Sequence, residues 1–98
     1  MKTPAITSEQ AEVTAIRALA YVAADPELLP RFLSLTGIDP GAVREAAREP
    51  GFLAGVIDFI IGHEPTLLAF SRASGLPPET LTLARRALPG GGDDERST

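Results

Sequence analysis

Two isolated polar side chains, Asp58 and His63, are the first in this sequence that could do chemistry. Asp58 is the only charge in the apolar stretch of residues 51–61, and His63 is the only histidine. An ionised carboxylate buried without a partner is strongly unfavourable, so Asp58 must reach solvent, pair with an arginine or contact a ligand. His63 and the adjacent Glu64 could bind a metal, but no further ligand stands at a suitable spacing. We therefore interpret Asp58 and His63 as structural residues. The arginines expected to pair with Asp58 are Arg17, Arg31 and Arg72.

The residue types that most enzymes and metalloproteins use are missing or wrongly spaced. The chain has no cysteine, which excludes disulfides, thiolate metal sites and cysteine nucleophiles. It has no serine in a nucleophile elbow and no phosphate-binding glycine loop, because the glycines 90–92 precede only an acidic tail. We therefore expect no catalytic residue, no metal and no cofactor, and we predict that the protein is not an enzyme.

Some arginines have no acidic residue nearby in the sequence with which to pair. The chain has 9 basic and 13 acidic residues and a net charge of −4, which argues against general binding to nucleic acids or anionic membranes. Neither Arg85 nor Arg86 has an acidic residue four positions earlier with which to pair on a helix. We therefore expect these side chains to be free to contact a partner. The candidate partner-binding residues are Arg72, Arg85, Arg86 and Asp58.

Six helices are predicted from their start and stop signals. Thr7 and Gln10 have the spacing of a capping box, and a further helix starts at each Asp-Pro pair, Asp25-Pro26 and Asp39-Pro40. Gly37 and Gly75 stand where a helix ends in a left-handed residue. The sequence therefore predicts an all-α fold, a single compact domain of about six short helices. The predicted ranges are 8–24, 26–36, 40–49, 51–61, 65–74 and 78–88. Because Pro30 removes a backbone donor early in the second helix, this helix has a distorted first turn or starts near Leu29.

The helix faces that form the core are expected where the largest apolar side chains recur. The fourth helix is apolar around most of its circumference, so we predict that it is the central one. Its one stripe without bulk consists of Gly51, Gly55, Asp58 and Gly62. The predicted core residues are Phe32, Phe52, Phe59, Phe70, Leu53, Ile57, Ile60 and Leu67.

Faces are also predicted for the first and the sixth helix from helical spacing. The expected inner face of the first helix consists of Val13, Ile16, Leu19, Ala20 and Ala23. Its expected water-facing side consists of Gln10, Thr14, Arg17 and Tyr21. In the sixth helix, Leu81, Ala84 and Leu88 are expected to face inward, and Glu79, Thr82 and Arg86 to face water.

A weak internal repeat appears when the chain is shifted by 38 residues against itself. The shift aligns the turn TGIDP with SGLPP and places Gly37 on Gly75. This pattern predicts two tandem three-helix pseudo-repeats that share one core through the first and fourth helices. Both glycines are then expected to have positive φ.

The ends of the chain carry no signal for secretion or membrane insertion. The N-terminus lacks an apolar segment, and the longest apolar run is well short of the roughly 20 residues that span a bilayer. We therefore predict a soluble, cytoplasmic protein without a membrane partner. Residues 1–88 are predicted to form the helical domain, and residues 89–98 a disordered acidic tail.

Several phrases of the sequence are similar to one known family. They are Asp25-Pro26, Phe32-Leu33, Leu35-Thr36-Gly37, Glu49-Pro50-Gly51-Phe52-Leu53 and Val56-Ile57-Asp58-Phe59, within residues 9–86. Through them the chain resembles a small bacterial family of uncharacterised proteins, domain of unknown function 3572. The resemblance implies a compact all-helical domain and supplies no activity and no site residues.

Three classes of function are weighed from these patterns. The first is a non-enzymatic protein-interaction or adaptor module that binds an unknown protein or self-associates. The alternative is a helix-turn-helix DNA-binding or regulatory protein, because Gly75-Leu76 with Leu81, like Gly37-Ile38 with Val43, has the spacing of that motif. An enzyme ranks third. The acidic net charge makes nucleic acid an unlikely partner, so the sequence favours the interaction module.

Overall fold

Six α-helices and one short 3₁₀ turn make up the regular structure of residues 6–89, the part of the chain that the computed structural model describes. The predicted all-α class is confirmed. The predicted disordered tail lies outside the described residues, except for Pro89. The helices are α1 Ser8–Ala24, α2 Leu28–Thr36, α3 Val43–Ala46, α4 Phe52–Ile61, α5 Glu64–Ser74 and α6 Pro78–Ala87, with the 3₁₀ turn at Pro40–Ala42.

Two of the predicted side-chain caps, Thr7 and Asp25, form hydrogen bonds, whereas Asp39 precedes the 3₁₀ turn without one. The hydroxyl of Thr7 accepts a hydrogen bond from the Gln10 backbone N–H (3.0 Å), and the Gln10 side chain accepts one from the Thr7 N–H (2.9 Å). The capping box is therefore confirmed. The carboxylate of Asp25 accepts from the N–H groups of Glu27 and Leu28, and α2 begins at Leu28, which agrees with the later of its two predicted starts.

Two helices end at a glycine in the left-handed region, as predicted. Gly37 after α2 has φ 76°, and Gly75 after α5 has φ 77°. Each glycine N–H donates to the carbonyl four residues earlier, that of Leu33 or Ser71. Because a side chain is disfavoured at such φ values, glycine is the residue that ends these helices most readily.

The core lies where α1, α4 and α6 meet. α1 contacts both of the other helices, so the predicted joint between the first and fourth helices is confirmed and α6 joins it. Val56, Ile57 and Ile60 on α4 are completely buried. The inward and outward faces predicted for α6 are also confirmed, since Leu81, Ala84 and Leu88 are buried and Glu79, Thr82 and Arg86 are exposed.

The aromatic residues extend this core towards α2 and α5. The ring of Phe32 meets those of Phe52 and Phe59 edge to face, with centroids 5.9 and 5.4 Å apart, and Phe70 meets Tyr21 at 5.3 Å. Of the predicted core, Phe32, Phe52, Ile57, Ile60 and Phe70 are buried, whereas Leu53, Phe59 and Leu67 are partly buried at its edge.

The predicted inner face of α1 is wrong. The buried residues are Ala11, Thr14, Ala15, Ala18 and Val22, and the expected inner residues Val13 and Ile16 are exposed. The reason is size complementarity. α4 supplies bulky side chains, so the helix that packs against it presents small ones, which let the two axes approach closely.

The predicted third helix is also wrong in extent. In place of a helix over residues 40–49, the chain forms the 3₁₀ turn and the four-residue α3, followed by turns. Pro50 disfavours the α conformation of the preceding Glu49, and the chain leaves the helix after Ala46. The two glycine corners therefore share their φ values, but the helices that follow them differ, because α6 has ten residues and α3 has four.

Candidate interaction surface

Asp58 pairs with Arg85 across the contact between α4 and α6. The Nε atom of Arg85 donates to a carboxylate oxygen of Asp58 at 2.5 Å. The side chain of Asp58 is 53% exposed and that of Arg85 is 26% exposed. The three predicted partners of Asp58 were therefore wrong. Residues 58 and 85 are 27 positions apart, so no pattern within one helix could reveal the pair.

The glycine stripe around Asp58 lies on the molecular surface. A side-chain carbon added at Gly55, one turn before Asp58, would meet no other atom within 4 Å. No neighbouring helix therefore makes a close approach at Gly55. Asp58 is accommodated because it faces water on one side and an arginine on the other.

The four predicted partner-binding residues do not form one cluster. Arg85 was predicted to be free to contact a partner, but its side chain is paired with Asp58. Arg72 and Arg86 are exposed in the last turns of α5 and α6, where the helix dipole favours positive charge. Within residues 6–89, no hydrogen bond or ion pair connects Arg72 or Arg86 to Asp58.

His63 has a local structural role, as predicted. It occupies the position before the first residue of α5, and its Nδ1 lies 2.7 Å from the hydroxyl of the buried Thr66. In the described part of the chain, no group of three or more acidic, histidine or cysteine side chains is placed to hold a metal ion.

Four of the apolar side chains that were predicted to form the inner face of α1 lie on its outward face. Val13 is 58% exposed and Ile16 is 54% exposed, and Ala20 and Ala23 continue the line at helical spacing. We call Val13, Ile16, Ala20 and Ala23 the outer stripe. The alanines at positions 11, 15 and 18 could have indicated that this line faces outward, because they form a second apolar line at the same spacing on the opposite face of α1.

The outer stripe is bordered on one side by an anchored arginine. Arg17 Nη2 donates to the backbone carbonyl of Ser74 at 2.9 Å, which links α1 to the end of α5. Two open depressions meet at Arg17. One contains Val13 and Leu76. The other contains Ala20, Tyr21, Phe70 and Ala73. The apolar surface of the stripe therefore continues past Arg17 towards α5.

The other large apolar side chains that are exposed lie on different helices, and a separate open depression is lined by Leu29, Leu33 and Ile38. Leu35 on α2 is 72% exposed and lies in a shallow groove beside Arg31, Phe59 and His63. Leu68 on α5 is also exposed. A single exposed leucine is ordinary on a protein surface, whereas the outer stripe is a line of four apolar residues along one helix.

No single helix among residues 6–89 is long and apolar enough to cross a membrane. α4 and α5 reach the required length and composition only when joined, and they are bent by 107° at their junction.

Comparison with known proteins gives one family match. No curated protein and no solved structure matches the chain. The family model described as protein of unknown function DUF3572 matches residues 8–91, which include all six helices. The chain therefore belongs to this family, as its resemblance in the sequence phrases around α2 and α4 implied.

Proposed function

We propose that this protein is a non-enzymatic protein-interaction or adaptor module of the cytoplasm and that its contact surface is the outer stripe of α1. The observation that carries the proposal is the exposure of Val13 and Ile16 on the longest helix of the fold. Valine and isoleucine fill the core elsewhere in the fold, yet these two residues of α1 face outward.

The energetics support a contact at this stripe. Fully burying a valine or isoleucine contributes about 1.5–3 kcal/mol, so covering the exposed half of each contributes on the order of 1 kcal/mol. No charged residue lies within the stripe between Val13 and Ala23, because Arg17 lies at its edge. A partner can therefore cover it without desolvating an unpaired charge.

The polar residues support a module without catalysis. Asp58 is paired with Arg85, and His63 interacts with Thr66. Each of the two groups that could do chemistry thus has a partner within the fold.

The helix-turn-helix alternative has less support. Its recognition helix would be α6, but Arg85 of that helix is held by Asp58. In the first corner, the corresponding α3 has only four residues. The observations in its favour are the corner at Gly75 and the exposed Arg72 and Arg86.

The proposal is tested by recovering the tagged protein from its native cell in three forms. Ile16→Glu places a charge in the outer stripe, and Leu35→Glu places one at a comparably exposed site elsewhere. We expect wild type and Leu35→Glu to retain the same bound protein and Ile16→Glu to lose it. The same bound proteins in all three forms, or tight binding of the purified protein to duplex DNA at physiological salt, would contradict the proposal.

A further inference from the structure

We infer that the occupant of the outer stripe is a second copy of this chain, with the two α1 helices side by side and parallel about a two-fold axis. The inference rests on the proposed function, because it takes the outer stripe as the contact surface. It adds the identity of the partner and the orientation of the contact.

The spacing of the outer stripe is that of a coiled-coil seam. Positions 13, 16, 20 and 23 are separated by three, four and three residues, which are the a and d positions of two consecutive heptads. The first heptad carries Val13 at its a position and Ile16 at its d position, so this end of the seam presents two large aliphatic side chains from each copy. Alanines at 20 and 23 allow the two helices to approach closely at the other end.

The charges beside the stripe complement those of a second, parallel copy. In the same heptads, Glu12 occupies a g position and Arg17 the e position five residues later, on opposite sides of the stripe. In a parallel pair, Glu12 of each copy faces Arg17 of the other, so two ion pairs form across the seam. Both residues are exposed, and the bond to the Ser74 carbonyl holds Arg17 at the edge of the stripe.

An antiparallel pair lacks this complementarity. Antiparallel helices bring e positions next to e positions, so Arg17 of one copy would lie near Arg17 of the other at the centre of the seam. Like charges at such a contact are unfavourable, and Glu12 would be left without its partner.

The dimer is expected to be weak, because one short helix from each copy buries an area at the low end of specific interfaces. We expect a dissociation constant on the order of 10–100 μM. In a parallel pair Glu9, one turn before Val13, lies next to the same residue of the second copy. Glu9→Gln is therefore expected to strengthen the dimer, which an antiparallel pair would not show.

Sedimentation equilibrium of the purified protein measures the dimer directly. Wild type and Leu35→Glu should dimerise with similar affinity, and Ile16→Glu should weaken the dimer at least about 100-fold, because it buries two carboxylates in an apolar seam. Circular dichroism and thermal unfolding show that each variant is folded. A wild type that remains monomeric at about 1 mM, well above the expected constant, would overturn the inference.

Charge reversal tests the orientation. Glu12→Arg and Arg17→Glu each turn both ion pairs into like-charge contacts, so each should weaken the dimer about tenfold. The variant that carries both changes restores opposite charges across the seam and should return close to wild-type affinity. An antiparallel seam predicts little effect from either single change, and that result would overturn the parallel arrangement.

Disulfide trapping gives an independent test, because the chain has no cysteine of its own. Val13→Cys should form a disulfide with the same residue of the second copy under mild oxidation. In an antiparallel seam those residues would lie about 15 Å apart, and Val13→Cys would instead cross-link to Ala23→Cys in a mixture. Val13→Cys that fails to cross-link with itself would contradict the inference.

The inference and the proposed function can fail separately. A monomeric purified protein that still binds a different protein through Ile16 in cells would overturn the second copy as occupant and leave the proposed function standing. If Ile16→Glu changes neither the oligomeric state nor any protein recovered from cells, both are overturned.

Discussion

At the scale of single residues, the pair of Asp58 and Arg85 shows how a carboxylate is placed on the most apolar helix of the fold. Asp58 lies on the glycine stripe of α4, which faces outward, and Arg85 reaches it from α6. Because both side chains are partly exposed, water screens their attraction and the pair is expected to be weak. Its effect is to connect the sixth helix to the central one.

A double-mutant cycle measures this connection. Asp58→Asn, Arg85→Gln and the double variant, compared by urea unfolding, should give a coupling energy of about 0.2–1 kcal/mol, as for other exposed pairs. The coupling should fall when the ionic strength is raised. Equal coupling at low and high salt would show that the contact is not electrostatic.

The open surface at Gly55 leads to a second prediction. A methyl group there meets no atom within 4 Å, and glycine inside a helix is less favourable than alanine. Gly55→Ala should therefore increase the free energy of unfolding by about 0.5–1 kcal/mol. Gly62→Ala is the contrasting variant, because its methyl group would lie 3.1 Å from the Asp58 carbonyl oxygen. A loss of stability in Gly55→Ala would mean that another element covers the stripe.

At the scale of elements, α1 has two apolar faces that differ in side-chain size. The inner face carries alanines at 11, 15 and 18 and packs against α4 and α6. The outer stripe carries Val13 and Ile16. When one apolar face of a helix packs within its own fold, the other apolar face stays available for contact with another molecule.

Leucine scanning distinguishes the two faces. Ala15→Leu forces three extra carbon atoms between α1 and its neighbours and should lower the free energy of unfolding by about 1–3 kcal/mol. Ala20→Leu extends into solvent and should change it by less than about 0.5 kcal/mol. Chemical denaturation of both variants checks this. Similar losses at positions 15 and 20 would show that α1 is rotated from the orientation described above.

Local chemistry made the helix ends predictable from the sequence, whereas the faces of α1 depended on its neighbours. Thr7 with Gln10 and the two left-handed glycines act within a few residues, so their roles are visible in a short window. Which side of α1 is buried depends on the bulky side chains of α4. These side chains lie outside any short sequence segment around α1. The partner of Asp58 was missed for the same reason, since Arg85 is brought to it only by the contact of α4 with α6.

At the scale of the whole molecule, the two predicted halves are parts of one core. α1 from the first half packs against α4 and α6 from the second, and Arg17 donates to Ser74 at the end of α5. About 40 residues are too few to bury a core alone. The two halves should therefore unfold together.

Two spectroscopic signals test this cooperativity. Tyr21 is the only tyrosine, the chain has no tryptophan, and the Tyr21 ring contacts Phe70 between α1 and α5. Tyrosine fluorescence and far-ultraviolet circular dichroism should therefore give the same urea midpoint. If the fluorescence changes at lower urea than the dichroism, the contact between α1 and α5 opens before the rest of the fold.

The central claim is that the outer stripe of α1 is the contact surface, and recovery of bound chains from the native cell tests it most directly. The cell carries two versions of the protein with different tags, and each of wild type, Ile16→Glu and Leu35→Glu is isolated through one tag. We expect wild type and Leu35→Glu to bring the second tagged copy with them, and Ile16→Glu to lose it together with any other bound protein. Equal recovery of the same proteins by all three forms would contradict the claim.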